Sequence, residues 1–183
     1  KVMAIVKANA YGHGAPAIAR LLAQDIDCFG VANVNEAIEL REAHVENPIL
    51  VLGLCSPVEY VLAMKHDAII SISSLAMAQE IDQLAERNGL HATIHIKVDT
   101  GMGRLGIPFQ EAFDAILKIK QLKHITAEGL FTHFALADNM RSDFTEKQID
   151  LFCLLIDELK RSNVTFPLIH AANSSGLQHA YGV

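Results

Sequence analysis

The sequence has few cysteines, no long apolar run and no signal-peptide pattern, and each absence excludes a class of protein. Cys28, Cys55 and Cys153 stand far apart, without a CxxC pair or a Cys/His cluster, so neither a disulfide framework nor a zinc site is expected. The longest apolar runs are far shorter than the roughly 20 residues that span a bilayer. We therefore expect a cytoplasmic protein that does not bind membranes.

The sequence also lacks clustered positive charge. Its formal net charge is -6, with acidic and basic residues mixed along the chain, whereas a nucleic-acid surface needs grouped Lys and Arg. Six of the nine histidines show no ligand spacing with acidic partners, so no metal site is predicted. These six are His44, His66, His91, His95, His124 and His179.

The length and composition favour a single domain. The chain has 183 residues, 51% of them hydrophobic, which is enough for one buried core and too little for two ordinary domains. It opens directly on the apolar run 2–6 and stops at 181–183 without a closing element. We expect one domain over 1–183, truncated at both ends.

Short β-rich runs alternate with longer segments of helical period, a pattern typical of a parallel sheet with crossover helices. The predicted strands are 2–6, 28–32, 49–52, 68–71, 92–98, 127–132 and 168–171. The predicted helices are 16–23, 34–43, 57–64, 74–87, 108–119 and 145–162. Helix starts are indicated by Pro16 and Pro57 in first turns, by Asn33 or Asn35 and Ser73 or Ser74 as caps, and by a capping box between Thr145 and Gln148.

This alternation fits two α/β architectures, a doubly wound open sheet or an eight-stranded barrel, and periodicity does not choose between them. A (β/α)8 barrel of the TIM type takes about 250 residues, so seven strands would make it incomplete. In either architecture the reactive residues should follow the strand ends.

A lysine ends the first predicted strand, which is otherwise wholly apolar. Burying the ammonium of Lys7 is costly unless the amine is neutral or bonded, and a lysine that forms an imine avoids that cost. The alternative is a stem lying on apolar surface with its charged end in water.

Two cations flank a glycine-rich loop after the fifth predicted strand. The loop follows Lys97 and contains Arg104, and its three glycines allow a tight turn close to a ligand. Such cations suit a phosphate, carboxylate or phenolate. A solvated loop in which Asp99 pairs with either cation explains the same residues.

The last two predicted strands also end in polar residues. His133 and His170 alone are weak indications, because a histidine at a strand end is more often structural. Asn173 and Ser174 are more suggestive, since a hydroxyl and free N–H groups at a helix start can hold a phosphate, although turn chemistry explains them equally well. For 31–36, packing and helix capping are the preferred interpretation.

Four segments resemble alanine racemases. The segment AIVKANAYGHG at 4–14 is similar to the pyridoxal-phosphate attachment motif of that family. KVDTGMGRLG at 97–106, EGLFTHFA at 128–135 and HAANS at 170–174 resemble further family segments in the same order. Together they extend over almost the whole chain.

The resemblance implies a barrel whose strand ends carry pyridoxal 5'-phosphate. Lys7 would hold the cofactor as a Schiff base and then act as acid and base on the face that handles the D-enantiomer's α-proton. Tyr11 and Ser174 would contact the phosphate, with Asn173 beside them.

For the second loop, the resemblance implies that Arg104 hydrogen-bonds near the phenolic oxygen of the cofactor and to the substrate carboxylate. Lys97, often carbamylated in the family, would hold Arg104 in place. His133 would support the cofactor ring.

The resemblance also implies parts that this sequence does not contain. Racemisation needs two bases on opposite faces, and in the family the second is a tyrosine from a C-terminal β-domain of the partner subunit in a homodimer. An eighth strand would carry an arginine for the pyridine nitrogen. We therefore expect the isolated 183 residues to have little or no racemase activity.

Other functions fit parts of the same pattern. A non-catalytic pyridoxal-phosphate homeostasis protein shares the strand-end lysine, and a serine racemase or an amino-acid decarboxylase of the same fold type is a second alternative. An unliganded structural barrel is the third. Alanine as substrate rests on the resemblance alone.

Overall fold

The computed structural model describes residues 1–179, and the last four positions of the predicted domain 1–183 lie outside that range. Every predicted strand is present, with ends that agree to within two residues. A further two-residue strand lies where the helix 108–119 was expected to begin. The strands are β1 (Met3–Ile5), β2 (Cys28–Val31), β3 (Ile49–Val51), β4 (Ala68–Ile72), β5 (Ala92–Asp99), β6 (Ile107–Pro108), β7 (Ile125–Phe131) and β8 (Leu168–His170).

Helical segments follow the strands along the chain. Pro16 and Pro57 occupy first turns, while Asn33 and Ser74 accept the caps predicted for them, from Glu36 N at 3.0 Å and Met77 N at 3.1 Å. The segments are α1 (Lys7–Tyr11), α2 (Ala15–Leu22), α3 (Val34–Glu42), α4 (Pro57–Lys65), α5 (Leu75–Asn88), α6 (Phe109–Ile119), α7 (Phe144–Arg161) and α8 (Ser174–Gln178). Of these, α1 and α8 were not predicted as helical.

The predicted capping box between Thr145 and Gln148 is wrong. Helix α7 begins one residue earlier, after Asp143, so Thr145 lies inside the helix and its buried hydroxyl has no hydrogen-bond partner. The Gln148 amide instead bonds to loops outside the helix. A reciprocal cap is found at α4, where the Glu59 carboxylate accepts bonds from the N–H and hydroxyl of Ser56, both at 2.7 Å.

The strand order decides between the two predicted architectures. Seven strands follow one another as β1-β2-β3-β4-β5-β7-β8, and β6 pairs with β5 outside this path. The registered pairs are parallel, for example Ala4 with Phe29 and Leu130 with Ile169. A doubly wound sheet reverses its strand order at a switch point, and no reversal occurs among the described strands. The sequential parallel order is that of an incomplete (β/α)8 barrel.

The chain divides into two compact units, and the first contains Lys1–Ser71, Glu80–Ile94 and Lys123–Thr126. Its core is formed by wholly apolar strands such as β3, buried along its length, as expected for parallel strands covered on both faces. The guanidinium of Arg41 joins its loops by donating to the carbonyls of Asn47 at 2.8 Å and His66 at 3.1 Å. These contacts join the loops that precede β3 and β4.

The second unit contains Ile72–Gln79, His95–Leu122 and the chain from Ala127 onward. Its helices α6 and α7 bury apolar side chains such as Ile116 and Phe152. Its strands differ from those of the first unit, because β5 carries His95 and Lys97 two residues apart and therefore on one face. Both side chains are buried, so β5 places two polar groups inside this unit.

Residues 1–179 contain neither a membrane-spanning helix nor a metal-binding cluster. No helix in that range is long and apolar enough to cross a bilayer. No three or more His, Cys, Asp or Glu side chains gather there as a metal ion requires.

Candidate functional site

The backbone adopts a left-handed helical conformation directly after Lys7. Lys7 is half-buried, one residue beyond buried Val6, and the next four residues, from Ala8 to Tyr11, have φ between 51° and 56°. Left-handed conformation costs a non-glycine residue roughly 1–2 kcal/mol. Strain of this kind persists only where surrounding contacts impose it, and it concentrates at functional sites.

Hydrogen bonds within the segment and to the start of α2 stabilise this left-handed turn. Ala10 N donates to Val6 O at 2.8 Å, and the side-chain oxygen of Asn9 accepts from Ala15 N at 2.8 Å. The turn ends at Gly12, whose φ of 90° suits a residue without a Cβ. The sequence signal was weak, because Asn9 is the only residue from 8 to 11 that favours left-handed conformation.

One carboxylate from another element also holds the turn. Glu36, in the first turn of α3, accepts from Ala8 N at 2.8 Å and from Ala32 N at 2.7 Å. It thereby links the residue after Lys7 to the end of β2. Capping was the predicted role for this segment, and its link to position 8 was missed because the two residues are 28 positions apart.

The first unit thus brings Lys7 and Tyr11 into one short turn. The Tyr11 side chain ends that turn and is 62% exposed, so its hydroxyl is accessible to a ligand. Lys7 provides an amine and Tyr11 a neutral donor, which together suit a ligand with an aldehyde and a phosphate.

In the second unit, Lys97 is a buried lysine, only 6% exposed. Its Nζ lies 5.6 Å from the centroid of the Phe131 ring, within reach of a cation–π contact. Burial lowers the pKa of Lys97, nearby Arg104 lowers it further, and Asp99 partly opposes both. The Lys97 amine therefore loses its proton more readily than an exposed lysine does.

Asp99 shapes the glycine-rich loop that carries Arg104. Its carboxylate accepts from Gly101 N at 2.9 Å and from Gly103 N at 2.9 Å. A Cβ at Gly106 would lie 2.7 Å from Asp99 N, so only glycine allows the loop to fold back there. Arg104 is exposed at the outer side of this loop, where its guanidinium is accessible to an anion.

Gln148 joins the loops that follow β5 and β7. Its Nε2 donates to Thr100 Oγ1 at 3.2 Å and to His133 O at 3.1 Å, and its Oε1 accepts from Ala135 N at 2.9 Å. Thr100 and Thr132 share a hydroxyl bond of 2.8 Å. With Gln148 1% exposed, this is a buried network that fixes the backbone of His133.

Asn173 extends the connection to the loop after β8. Its Nδ2 donates to Phe134 O at 3.2 Å, and its Oδ1 accepts from Gly176 N at 2.9 Å, which caps α8. Ser174, the first residue of α8, is exposed. Hydrogen bonds of the second unit therefore connect the loops that carry His133 and Asn173, and Ser174 directly follows Asn173 in the chain.

These features match one protein family along almost the whole chain. The model of the "Alanine racemase, N-terminal domain" family matches residues 1–181. The chain belongs to that family. The resemblance seen in the four sequence segments is thereby confirmed.

Relatives and solved structures agree with this assignment. An alanine racemase of Methanococcus maripaludis is 41% identical over 179 residues, which are 97% of this chain and 48% of that protein. The structure of an alanine racemase from Clostridium difficile 630 is 35% identical, with a TM-score of 0.94 over 97% of this chain and 49% of that one. A histidine racemase from Leuconostoc mesenteroides subsp. sake is 30% identical, with a TM-score of 0.87 over 96% and 47% of the two chains.

The alanine racemase fold confirms the predicted incomplete (β/α)8 barrel. The chain spans about half the length of the curated relatives it matches. The site residues predicted from the family pattern remain predictions, since the comparisons concern whole chains.

A hydrogen-bonded pair of histidines, with His95 buried and His170 half-buried, was not anticipated. His95 Nδ1 lies 3.0 Å from His170 Nε2, and the His170 ring stacks on Phe131 with centroids 4.6 Å apart. Burial lowers the pKa of His95 to about 4, and burial with the neighbouring His95 lowers that of His170 to about 3. Both rings are neutral at pH 7. They pack beside the ring of Phe131, which Lys97 faces.

Proposed function

We propose that the protein carrying this chain is an alanine racemase dependent on pyridoxal 5'-phosphate, and that this chain holds the cofactor. The observation that carries the proposal is Lys7 itself, half-buried at the end of an apolar strand and followed by a left-handed turn. A surface lysine needs no such turn, whereas an amine that must meet an aldehyde at a fixed point does.

The residues present fit the chemistry of the cofactor. Lys7 supplies the amine, and the exposed hydroxyls of Tyr11 and Ser174, with Asn173 beside them, supply phosphate ligands. Arg104 supplies an exposed cation for a phenolate or a carboxylate. When bound, pyridoxal phosphate accepts electron density from the substrate α-carbon as that carbon loses its proton.

Lys7 would then move a proton at its Nζ. Its free amine would take or return the α-proton on one face of the substrate. The opposite face needs a second base, which we assign to a tyrosine outside this chain, from the partner subunit of a homodimer. This requirement makes the isolated chain a poor racemase.

Lys97 and Arg104 would act as a pair after carbamylation of Lys97. The ammonium first loses one proton. The neutral amine then adds to carbon dioxide: an N–C bond forms, one C=O π bond breaks and a second proton leaves, so that a cation becomes an anion. The lowered pKa of Lys97 supports this, because only the neutral amine reacts. The carbamate would hold Arg104 for the phenolic oxygen and the substrate carboxylate, and His133 would support the ring.

One observation favours a second candidate with the same chemistry. The Leuconostoc structure is named a histidine racemase and is 30% identical to this chain, so the fold is shared by a racemase of another amino acid. We therefore rank alanine first as substrate and a different amino acid second. Assays with both classes of substrate distinguish them.

The test uses the intact protein and a Lys7→Ala variant. The unmutated protein should acquire a visible absorbance band with pyridoxal phosphate and should racemise alanine, because a protein-bound imine absorbs at longer wavelength than the free aldehyde. Lys7→Ala should lose the band and at least about 1,000-fold in rate, the order expected when a covalent group is removed. Lys65→Ala, at the exposed end of α4, is the control. Retention of the band in Lys7→Ala contradicts the proposal.

A further inference from the structure

We propose that Glu36 is a positioning residue for Lys7, a role that rests on the proposed function. Its carboxylate fixes the peptide group that follows the cofactor lysine. The bond from Ala8 N, 2.8 Å long, belongs to the peptide that joins Lys7 to Ala8, so the direction of the lysine Cα–Cβ bond depends on it.

The carboxylate is held at both oxygens. Oε1 accepts from Ala8 N, while Oε2 accepts from Ala32 N at 2.7 Å. Two bonds to backbone groups of different segments, one after β1 and one after β2, prevent the side chain from rotating. Glu36 thereby sets the end of β1 against the end of β2.

The backbone of Glu36 is also fixed. Its own N–H donates to the Asn33 side chain at 3.0 Å, the capping bond of α3. A carboxylate in the first turn of a helix is favoured by the helix dipole and the free N–H groups there. We call the two carboxylate bonds of Glu36, to Ala8 N and Ala32 N, the Glu36 clamp. The clamp is therefore built on a rigid helix start, as accurate positioning requires.

The two carboxylate bonds of Glu36 act where the left-handed turn begins. Ala8 is the first of the four left-handed residues, so the change of helical hand begins at the N–H that Glu36 binds. Another bond of the turn, from Ala15 N to Asn9 Oδ1, joins it to the start of the next helix, α2. The contact from Glu36 comes from a separate helix, and it orients the turn relative to the sheet of the first unit.

The chain offers a matched control in Glu59. Glu59 occupies the first turn of α4, and its carboxylate also accepts two bonds, both from Ser56. Glu59→Gln therefore makes the same substitution at an equivalent helix position, with bonds to its own helix cap instead of the Lys7 turn. Any general effect of weakening a helix start appears in both variants.

The experiment measures covalent labelling of Lys7 in the intact protein. The unmutated protein, Glu36→Gln, Glu36→Asp and Glu59→Gln are mixed with pyridoxal phosphate and reduced with borohydride, and the labelled lysines are identified by peptide mass. Labelling of Lys7 should fall about tenfold in Glu36→Gln, because an amide replaces at least one charge-assisted bond with an N–H facing N–H contact. Glu36→Asp, which keeps the charge on a shorter stem, should fall between the two, and Glu59→Gln should label at the unmutated rate.

The comparison with Glu59→Gln decides the result. Equal Lys7 labelling in Glu36→Gln and Glu59→Gln, at equal melting temperature, overturns the positioning role. If Glu36→Gln is unfolded, Glu36→Asp takes its place, and unmutated labelling in that variant overturns the role as well. Absence of Lys7 labelling in the unmutated protein is a different failure, since it overturns the proposed function on which the role depends.

Discussion

The two units hold their candidate residues by different means. In the first, Lys7 and Tyr11 sit on a backbone segment of reversed hand, stabilised by its own bonds and by Glu36. In the second, ordinary loops are joined by the buried side chain of Gln148 and the half-buried side chain of Asn173. The first arrangement stores strain in the backbone, and the second depends on every polar group keeping its partner. Substitutions should therefore act on the two units in opposite ways.

The largest effect expected is the pH dependence of the second unit. In the unfolded chain His95 and His170 titrate near 6.5, whereas in the folded protein burial holds their pKa values at about 4 and about 3. The unfolded state thus binds more protons below pH 6.5, so stability is complete above that value and falls as the pH drops toward 3. Urea unfolding at about pH 7.5 and about pH 5 should show a loss of a few kcal/mol.

Two histidine variants sharpen this prediction. His170→Asn removes one titrating ring and should flatten the dependence on pH. His44→Asn, at an exposed left-handed position that asparagine tolerates, should leave the slope unchanged. If stability depends on pH with the same slope in the unmutated protein and in both variants, the pair of His95 and His170 does not control acid stability.

Next in size is the loss of the Gln148 amide. Gln148→Leu leaves Ala135 N and His133 O without their partner, and each buried unpaired group costs about 1–3 kcal/mol. We expect the free energy of unfolding to fall by about 3 kcal/mol. Gln83→Leu, on the exposed face of α5, is the matched control and should change it by less than about 0.5 kcal/mol. Equal unfolding free energies in the two variants would contradict the network.

The smallest expected effect concerns two alanine-to-glycine substitutions, which should change the stability in opposite directions. Ala8→Gly relieves left-handed strain at a φ of 51° and should stabilise the protein by up to about 1 kcal/mol. Ala17→Gly, an exposed position in right-handed α2, should destabilise it by about 0.5–1 kcal/mol. Thermal melting of both variants is sufficient. A fall in melting temperature for both would argue against a strained turn.

The fold could be predicted from the sequence more fully than the site, because each strand has a local sequence signal. An apolar run such as Ile49–Val51 is visible without any knowledge of its neighbours. The turn after Lys7 has no such signal, since alanine gives no indication of a positive φ. Its backbone is held in part by Glu36, 28 residues from Ala8 in sequence.

Side-chain partners were likewise hidden. The spacing of Thr145 and Gln148 fits a capping box, yet the Gln148 amide bonds to Thr100, 48 residues away. His95 showed no metal spacing and was given no role, although β5 and β8 place it against His170. Family motifs predicted Lys7, Arg104 and Ser174 as candidate site residues, because a motif contains the residues that carry the chemistry. The contacts that hold these residues were found only in the structure.

The most direct test of the central claim is a crystal structure of the intact protein grown with pyridoxal phosphate. The account predicts continuous electron density from the Lys7 side-chain nitrogen into the cofactor, with Tyr11 and Ser174 at its phosphate. A free Lys7 amine, with the cofactor bound to another lysine or to none, would contradict it.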